Sequence, residues 1–155
     1  MAILIVTWWS LSLVFVRICL QIPFVISRLD AVREMIPAAG KYAQSSNDGD
    51  ASTLFYLFFL LTTPVAAIWY LKVTRLTKAL GGRVTLILWL LVAVCIYFLT
   101  LGIDFSAANS AGFRRTFHFI LSSSWFGSSF FFLLCCHCLV LAVACLSRNK
   151  RRSFS

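Results

Sequence analysis

The sequence predicts an all-α integral membrane protein, a four-helix bundle with both termini on the cytoplasmic side. Three observations lead to this fold class. The 155 residues are 61% hydrophobic and only 12% charged, whereas a soluble domain carries about 25% charged residues. Four apolar stretches are each long enough, at about 1.5 Å per residue, to cross a hydrocarbon core about 30 Å thick. The basic residues that give the net charge of +9 lie mostly at the ends of these stretches, where they act on topology.

The first predicted span covers about residues 3–26. Trp8 and Trp9 are typical of a membrane interface. Arg17 and Gln21 interrupt the apolar run one helical turn apart and give the helix a polar seam. A cation within a span is expensive, so we expect Arg17 to extend to the head groups, to pair with a partner or to face a cavity.

The longest predicted loop, residues 27–51, follows the first span. It begins with a short amphipathic segment that Pro37 ends, and it continues into a polar run at residues 44–50. The Gly, Ser, Asn and Asp content of this run favours turns and contact with solvent. Ser52 or Thr53 is a plausible N-cap for the next helix.

The second predicted span covers about residues 54–71 and has Pro64 in its middle. A proline there removes one backbone donor and frees the carbonyl group of Leu60. The hydroxyl groups of Thr62 or Thr63 would relieve this defect. We therefore expect a kink at Pro64.

The third and fourth predicted spans cover about residues 84–101 and 124–146, and neither contains an ionised side chain. A short connection with two glycines separates spans two and three, so we expect these two spans to be antiparallel neighbours. The fourth span is followed by a basic tail at residues 147–155. One domain accounts for the whole chain.

The fourth span carries small residues along one side, at intervals of three or four positions. Close approach through small residues is what holds helices together in lipid, because apolar side chains gain nothing by leaving it. This stripe is therefore a predicted helix-packing face. Its members are Ser124, Ser128, Phe131, Cys135, Cys138, Ala142 and Cys145.

The distribution of charge predicts the topology. The connection at residues 72–83 and the tail each hold four basic residues and no acid. All five acidic residues fall in the other two loops: Asp30, Glu34, Asp48, Asp50 and Asp104. The positive-inside rule then places the connection, the tail and both termini in the cytoplasm.

One arginine, one glutamine and one histidine lie within the predicted spans: Arg17, Gln21 and His137. A buried ion pair between Arg17 and Asp104 is possible, since Asp104 follows the outer end of the third span at a similar depth. Alternatively, the three polar residues line a path for a substrate or an ion. The simplest role for His137 is a neutral imidazole that is hydrogen bonded to a neighbouring helix.

The run Cys135-Cys136-His137-Cys138 resembles a metal or redox motif. Helix geometry argues against a metal site, and the absence of relay cysteines in the predicted loops argues against a redox pair of Cys135 and Cys138. Consecutive residues on a helix diverge by about 100 degrees, so this run cannot supply a tetrahedral set of ligands by itself. All six cysteines lie inside predicted spans, where they behave as small apolar residues. We expect no metal and no cofactor.

Two functional classes remain, and no catalytic set suggests an enzyme. The first is a non-enzymatic organising or partner-binding protein that contacts the lipid bilayer and another membrane protein or a second copy of itself. This layout is similar to that of tetraspan families and of membrane-embedded immunity proteins, although no specific motif is shared. The second class is a small oligomeric transporter or channel with a path near Arg17, Gln21 and His137. Nucleic acid is not an expected partner, because the basic residues lie beside the membrane.

Overall fold

The computed structural model describes residues 2–73, 80–102 and 124–152, together with Gly112, Thr116, Phe119, Ile120 and Ser122. Across these residues the chain forms six α-helices, which confirms the all-α prediction. They are α1 (Ala2–Cys19), α2 (Pro23–Met35), α3 (Pro37–Ser45), α4 (Gly49–Val73), α5 (Gly82–Thr100) and α6 (Trp125–Arg152).

Large apolar side chains cover the outside of the bundle. Leu61 is 71% exposed, Val65 is 65% exposed and Ile87 is 62% exposed, and similar residues surround them on α1, α4 and α5. A soluble monomer rarely exposes apolar patches larger than a few hundred Å². Helices α4, α5 and α6 are long and apolar enough to cross a membrane, and α1 passes the same test together with α2. The protein is therefore an integral multi-pass membrane protein, as the sequence predicted, and it has three to four candidate spans where the sequence predicted four.

The first predicted span does not form one continuous helix over residues 3–26. Helix α1 ends at Cys19, and α2 is inclined to it by 107°. Pro23 explains the break, because a proline within the helix would remove a hydrogen bond to the carbonyl group of Cys19 and clash with it. Instead, Pro23 occupies the first turn of α2, where no such donor is needed. The N–H of Ile22 closes the last turn of α1 by donating to Cys19, at 3.1 Å.

Much of the predicted loop at residues 27–51 is helical. Ile36 is extended, with φ −120° and ψ 98°, as expected for a residue that precedes a proline. Pro37 then begins α3, whose Ala38, Ala39 and Tyr42 are fully buried. We call α2 and α3 together the cap, because they cover one end of the bundle.

The start of α4 is set by Asp48, whose carboxylate accepts a hydrogen bond from the N–H of Ala51 at 2.9 Å. This is the geometry of an N-cap residue. Ser52 and Thr53, the residues proposed from sequence, are instead fully buried within the first turns of α4.

Helix α4 runs unbroken from Gly49 to Val73 with Pro64 inside it. Thr62 and Thr63 donate to the carbonyl groups four residues earlier, those of Phe58 and Phe59, at 2.7 and 2.5 Å. Neither hydroxyl reaches Leu60, so the expected relief of that carbonyl group is wrong. The kink at Pro64 stays a prediction.

Helix α6 occupies the centre of the bundle. It packs most extensively against α4, then against α5, and also contacts α1, whereas α4 and α5 barely touch each other directly. The expectation that spans two and three are neighbours is therefore wrong, because α6 lies between them. The core around α6 is largely aromatic, and its fully buried rings are Tyr42, Phe55, Tyr56, Phe59, Tyr70, Phe131 and Phe132.

Contacts at the two ends of the bundle fix the helix directions. At the end covered by the cap, Phe131 near the start of α6 packs on Phe98 near the end of α5, with ring centroids 6.2 Å apart. At the opposite end, which we call the tail end, Arg148 of α6 contacts Leu71 of α4. Helices α4 and α6 are therefore parallel, and α5 is antiparallel to both. The end of α4, the start of α5 and the end of α6 therefore share one end of the bundle, and its cytoplasmic location stays a prediction.

Candidate functional site

The predicted packing face of α6 is partly buried. Ser128 and Ala142 are buried, Cys135 and Cys138 are half-buried, and Ser124 is exposed. Ala142 packs with Val92 of α5. A second buried column, on the side of α6 that joins the main core, was not predicted; it comprises Ser129, Phe132, Cys136, Val140 and Ala144. A helix that is apolar on all sides is expected to be buried at the centre of a bundle, but this pattern does not show which of its faces contact other helices.

Helix α1 is attached to the bundle through two tryptophans. The indole N–H of Trp8 donates to the hydroxyl of Thr62 at 2.8 Å, and that of Trp9 donates to Ser129 at 2.9 Å. The ring of Trp8 also packs edge-on against Phe59, with centroids 5.3 Å apart. These residues were interpreted from sequence as interfacial anchors. Trp8 is instead buried, and both tryptophans bind α1 to the rest of the fold.

His137 is hydrogen bonded to a neighbouring helix, as the simplest prediction for it requires. Its Nδ1 lies 2.5 Å from the hydroxyl oxygen of Tyr70 on α4, and the two rings are in edge contact. Tyr70 is only 2% exposed. This pair joins α4 and α6 within the membrane-spanning part of the bundle.

The C-terminal end of α5 is held by side chains from other elements. The last carbonyl groups of a helix have no partner within it, so they need donors from elsewhere. Tyr42 of α3 donates to the carbonyl group of Phe98 at 2.5 Å, and Tyr56 of α4 donates to that of Leu99 at 2.6 Å. Lys41 donates to the carbonyl group of Leu101 at 2.9 Å. A cation at this position also favours the negative end of the helix dipole.

Gly102 allows α3 to approach this end of α5. Its φ of +63° lies in the left-handed region, where a side chain is unfavourable. A Cβ atom at this position would lie 2.8 Å from the Cα atom of Ala38. Both the conformation of Gly102 and the contact with the cap therefore require glycine.

At the tail end, α6 holds α4 and α5 in a similar way. The guanidinium of Arg148 donates to the carbonyl group of Leu71 through Nε at 3.1 Å and also through Nη2. Asn149 accepts a hydrogen bond from the N–H of Leu80 at 2.8 Å. The amide of Asn149 also lies 3.4 Å from the hydroxyl of Thr85 on α5.

The cap is fastened to α4 through Arg33. Its guanidinium forms ion pairs with Asp50 at the start of α4 and with Asp30 on α2, the latter at 2.8 Å. Its Nε donates to the hydroxyl of Thr53 at 2.9 Å. The side chain of Asp50 is 39% exposed and that of Asp30 is 86% exposed, so the pair with Asp50 is the better shielded.

A polar cleft of about 690 Å³ opens beside Arg33, between the cap and the start of α4. We call it the cap cleft. Its walls include a cation, several acids and neutral amides, and they are Arg33, Glu34, Gly40, Ala43, Gln44, Asn47, Asp48, Gly49 and Asp50. This mixed lining suits hydrogen bonding to a polar surface of a partner.

The structure does not bring Arg17, Gln21 and His137 together. Arg17 and Gln21 are exposed at the end of α1, near the cap, whereas His137 lies against Tyr70. The exposure of Arg17 agrees with a side chain that extends to the head groups. The possible ion pair between Arg17 and Asp104 lies outside the described residues, because Asp104 is not among them.

The described part of the interior contains no candidate metal site. No group of three or more His, Cys, Asp or Glu side chains that could hold a metal occurs among the described residues. All six cysteines are free thiols, and Cys95 and Cys136 are buried. Every buried polar side-chain atom in the described part of the chain has a hydrogen-bond partner. These polar groups of the interior are therefore satisfied within the protein, and a polar surface open to a ligand lies outside, in the cap cleft.

Comparison with known proteins adds no relative. No family model, no curated protein and no solved structure matches the chain.

Proposed function

We propose that this protein is a non-enzymatic, four-span membrane organiser that binds another membrane protein or a second copy of itself. The observation that carries the proposal is the filled interior. Aromatic rings occupy the core, and each buried polar side-chain atom that the structure describes is hydrogen bonded within the protein. A transport path would need a continuous polar cavity, whereas a binding protein needs a rigid scaffold with accessible surfaces.

In this proposal the four spans are α1, α4, α5 and α6. The first span is α1 alone, and α2 lies at the membrane surface. Helix α1 has 18 residues, or about 27 Å at 1.5 Å per residue, which nearly matches the hydrocarbon thickness. Helix α2 carries Arg28, Asp30, Arg33 and Glu34, and charged side chains are costly within a bilayer. Its inclination of 107° to α1 is suited to a helix that lies along the head groups. Phe24, which is 68% exposed, would then contact lipid.

The cap cleft is the surface that we assign to the partner. It has a mixed polar lining, it opens outward, and the ion pair between Arg33 and Asp50 links its two walls. A preorganised surface binds with a lower entropic cost than a flexible loop does. The partner would present both hydrogen-bond donors and hydrogen-bond acceptors, as interface rims commonly do.

Site-specific photocrosslinking in native membranes tests the proposal. A photoreactive amino acid at Gln44, exposed in the cleft, is compared with one at Gln21, an exposed glutamine outside it. We expect a discrete adduct of one identified protein, or of a second copy, at position 44 and not at position 21. Reconstituted protein should also give no more solute flux than protein-free liposomes.

Two results would contradict the proposal. One is equal, diffuse labelling from positions 44 and 21. The other is a protein-dependent flux that Arg17→Leu abolishes while the thermal unfolding midpoint stays unchanged, because this result would favour a small oligomeric transporter or channel.

A further inference from the structure

An apolar groove of about 430 Å³ runs along the outside of the bundle between α1 and α4. We call it the lateral groove. Thr7, Trp8 and Leu11 contribute to its α1 wall, and Thr62 and Ala66 to its α4 wall. Its full lining is Thr7, Trp8, Leu11, Val14, Phe15, Phe58, Thr62, Val65, Ala66 and Trp69.

Both threonine hydroxyls of the groove and the indole N–H of Trp8 are already engaged within the protein. The hydroxyl of Thr7 donates to the carbonyl group of Ile3 at 2.8 Å. The hydroxyl of Thr62 donates to Phe58 and accepts the indole N–H of Trp8. The walls therefore favour an occupant that needs no hydrogen bond there, which is the chemistry of a hydrocarbon chain.

The shape of the groove favours a chain of methylene groups over another helix. A helix with its side chains is about 10–12 Å wide, and helix backbones in lipid approach most closely where small residues lie between them. Here Leu11, Phe15 and Trp69 stand out from the walls, and they are 56%, 38% and 51% exposed. These bulky side chains keep a second helix away from the small floor residue Ala66.

A positive charge at one end of the groove predicts the charge of the lipid head group that binds there. Lys72 follows Trp69 by three residues, about 4.5 Å further along α4 towards the tail end. Its side chain is exposed. An ammonium group at the membrane surface attracts anionic lipid. We propose that the lateral groove binds one acyl chain of an anionic phospholipid, with the lipid phosphate beside Lys72.

Native mass spectrometry of the delipidated full chain in mild detergent tests this site. The probes are phosphatidylglycerol and phosphatidylcholine with identical acyl chains. We expect one bound phosphatidylglycerol per chain. It should bind about fivefold more tightly than phosphatidylcholine, which is the preference that one cation at the membrane surface provides. Lys72→Gln should remove this preference, and Arg83→Gln, at an exposed cation of α5, should keep it.

A matched pair of substitutions tests the groove itself. Val14→Trp places an indole in the groove and should weaken binding of either lipid at least tenfold. Val94→Trp makes the same change on the lipid-facing side of α5, at a residue of similar exposure, and should leave binding unchanged; the two valines are 57% and 49% exposed.

Photolabelling of the unaltered protein keeps the proposal testable if Val14→Trp does not fold. Phosphatidylglycerol with a diazirine in its acyl chain should label residues 7–15 and 58–69 more strongly than residues 86–94, and unlabelled phosphatidylglycerol should compete. Uniform labelling of all lipid-facing helices would overturn the proposal, as would equal lipid binding by the two tryptophan variants. Conversion of a dimer into a monomer by Val14→Trp would assign the groove to a second copy instead, and it too would overturn the proposal.

Discussion

Replacing Gly102 by alanine tests whether the cap is built on a close approach to the end of α5. The left-handed conformation alone costs an alanine about 1–2 kcal/mol. The added Cβ atom would also lie 2.8 Å from the Cα atom of Ala38, a backbone atom that cannot move without shifting α3. Overpacking of this kind costs about 1–3 kcal/mol. We therefore expect Gly102→Ala to lower the free energy of unfolding by about 2–5 kcal/mol.

Gly112 provides a matched control for the conformational part of this cost. It has the same φ of +63°, but no heavy atom of the described residues lies within 4 Å of the position that its Cβ would take. Gly112→Ala should therefore cost only about 1–2 kcal/mol. The difference between the two variants measures the contact with Ala38. Ala38→Gly should not rescue Gly102→Ala, because the nearest atom, the Cα atom, remains.

The six free cysteines supply the assay. A fluorophore that reacts with exposed thiols reports unfolding in detergent, because each cysteine is buried or half-buried in the native state. At about 2–4 °C per kcal/mol, Gly102→Ala should lower the unfolding midpoint by roughly 4–20 °C. All variants are compared at one heating rate, since membrane proteins often unfold irreversibly. A midpoint for Gly102→Ala equal to that for Gly112→Ala would refute the contact argument.

Three further predictions use the same assay. Asp50→Ala should destabilise the protein more than Asp30→Ala, and a double-mutant cycle between Arg33 and Asp50 should give a coupling of at least about 0.5 kcal/mol; a larger effect of Asp30→Ala would contradict this. Tyr70→Phe should lower the free energy of unfolding by about 1–3 kcal/mol, because it leaves the imidazole nitrogen of His137 without its hydroxyl partner. Adding His137→Leu to Tyr70→Phe should recover part of this loss. No recovery would show that the hydroxyl contributes in another way. Arg148→Leu should cost about 1.5–3 kcal/mol through the lost hydrogen bonds to Leu71, whereas Arg83→Leu, at an exposed cation of the same end, should change the midpoint little. Equal shifts for these two arginines would exclude a capping role for Arg148.

The apolar helices could be predicted from the sequence because uniform hydropathy over a span is a strong signal. The third span was predicted at 84–101 and α5 covers Gly82–Thr100, which is close agreement. Helix α6 extends to Arg152, past the predicted end at Leu146. Hydropathy marks the hydrocarbon boundary, and a helix continues beyond that boundary until a breaker stops it.

The break in the first span was also encoded in the sequence, by Pro23. It was missed because apolar residues continue on both sides of this proline and hide the boundary between α1 and α2. Helix α3 was missed for the opposite reason, since its composition is only weakly apolar. The spacing of Ala38, Ala39 and Tyr42 does place them on one side of a helix, and that pattern could have revealed a packed element.

The polar contacts that organise the bundle could not be predicted. The acceptors for Tyr42, Tyr56 and Arg148 are backbone carbonyl groups, which have no sequence signature. Tyr42 and Phe98 are 56 residues apart, and Arg148 and Leu71 are 77 apart. Such pairs are defined only once the helices are arranged in space. The hydrogen bond expected of His137 follows from chemistry alone, but its partner, Tyr70, does not.

The central place of α6 has a consequence for biogenesis. Because synthesis proceeds from the amino terminus, this helix leaves the ribosome after the elements that surround it. Until it inserts, the inward aromatic rings of α4 face lipid and the carbonyl group of Leu71 lacks its arginine donor. A chain that stops before Trp125 should therefore be less stable than the full chain, because α4 then lacks both the rings and the hydrogen-bond donor that α6 supplies.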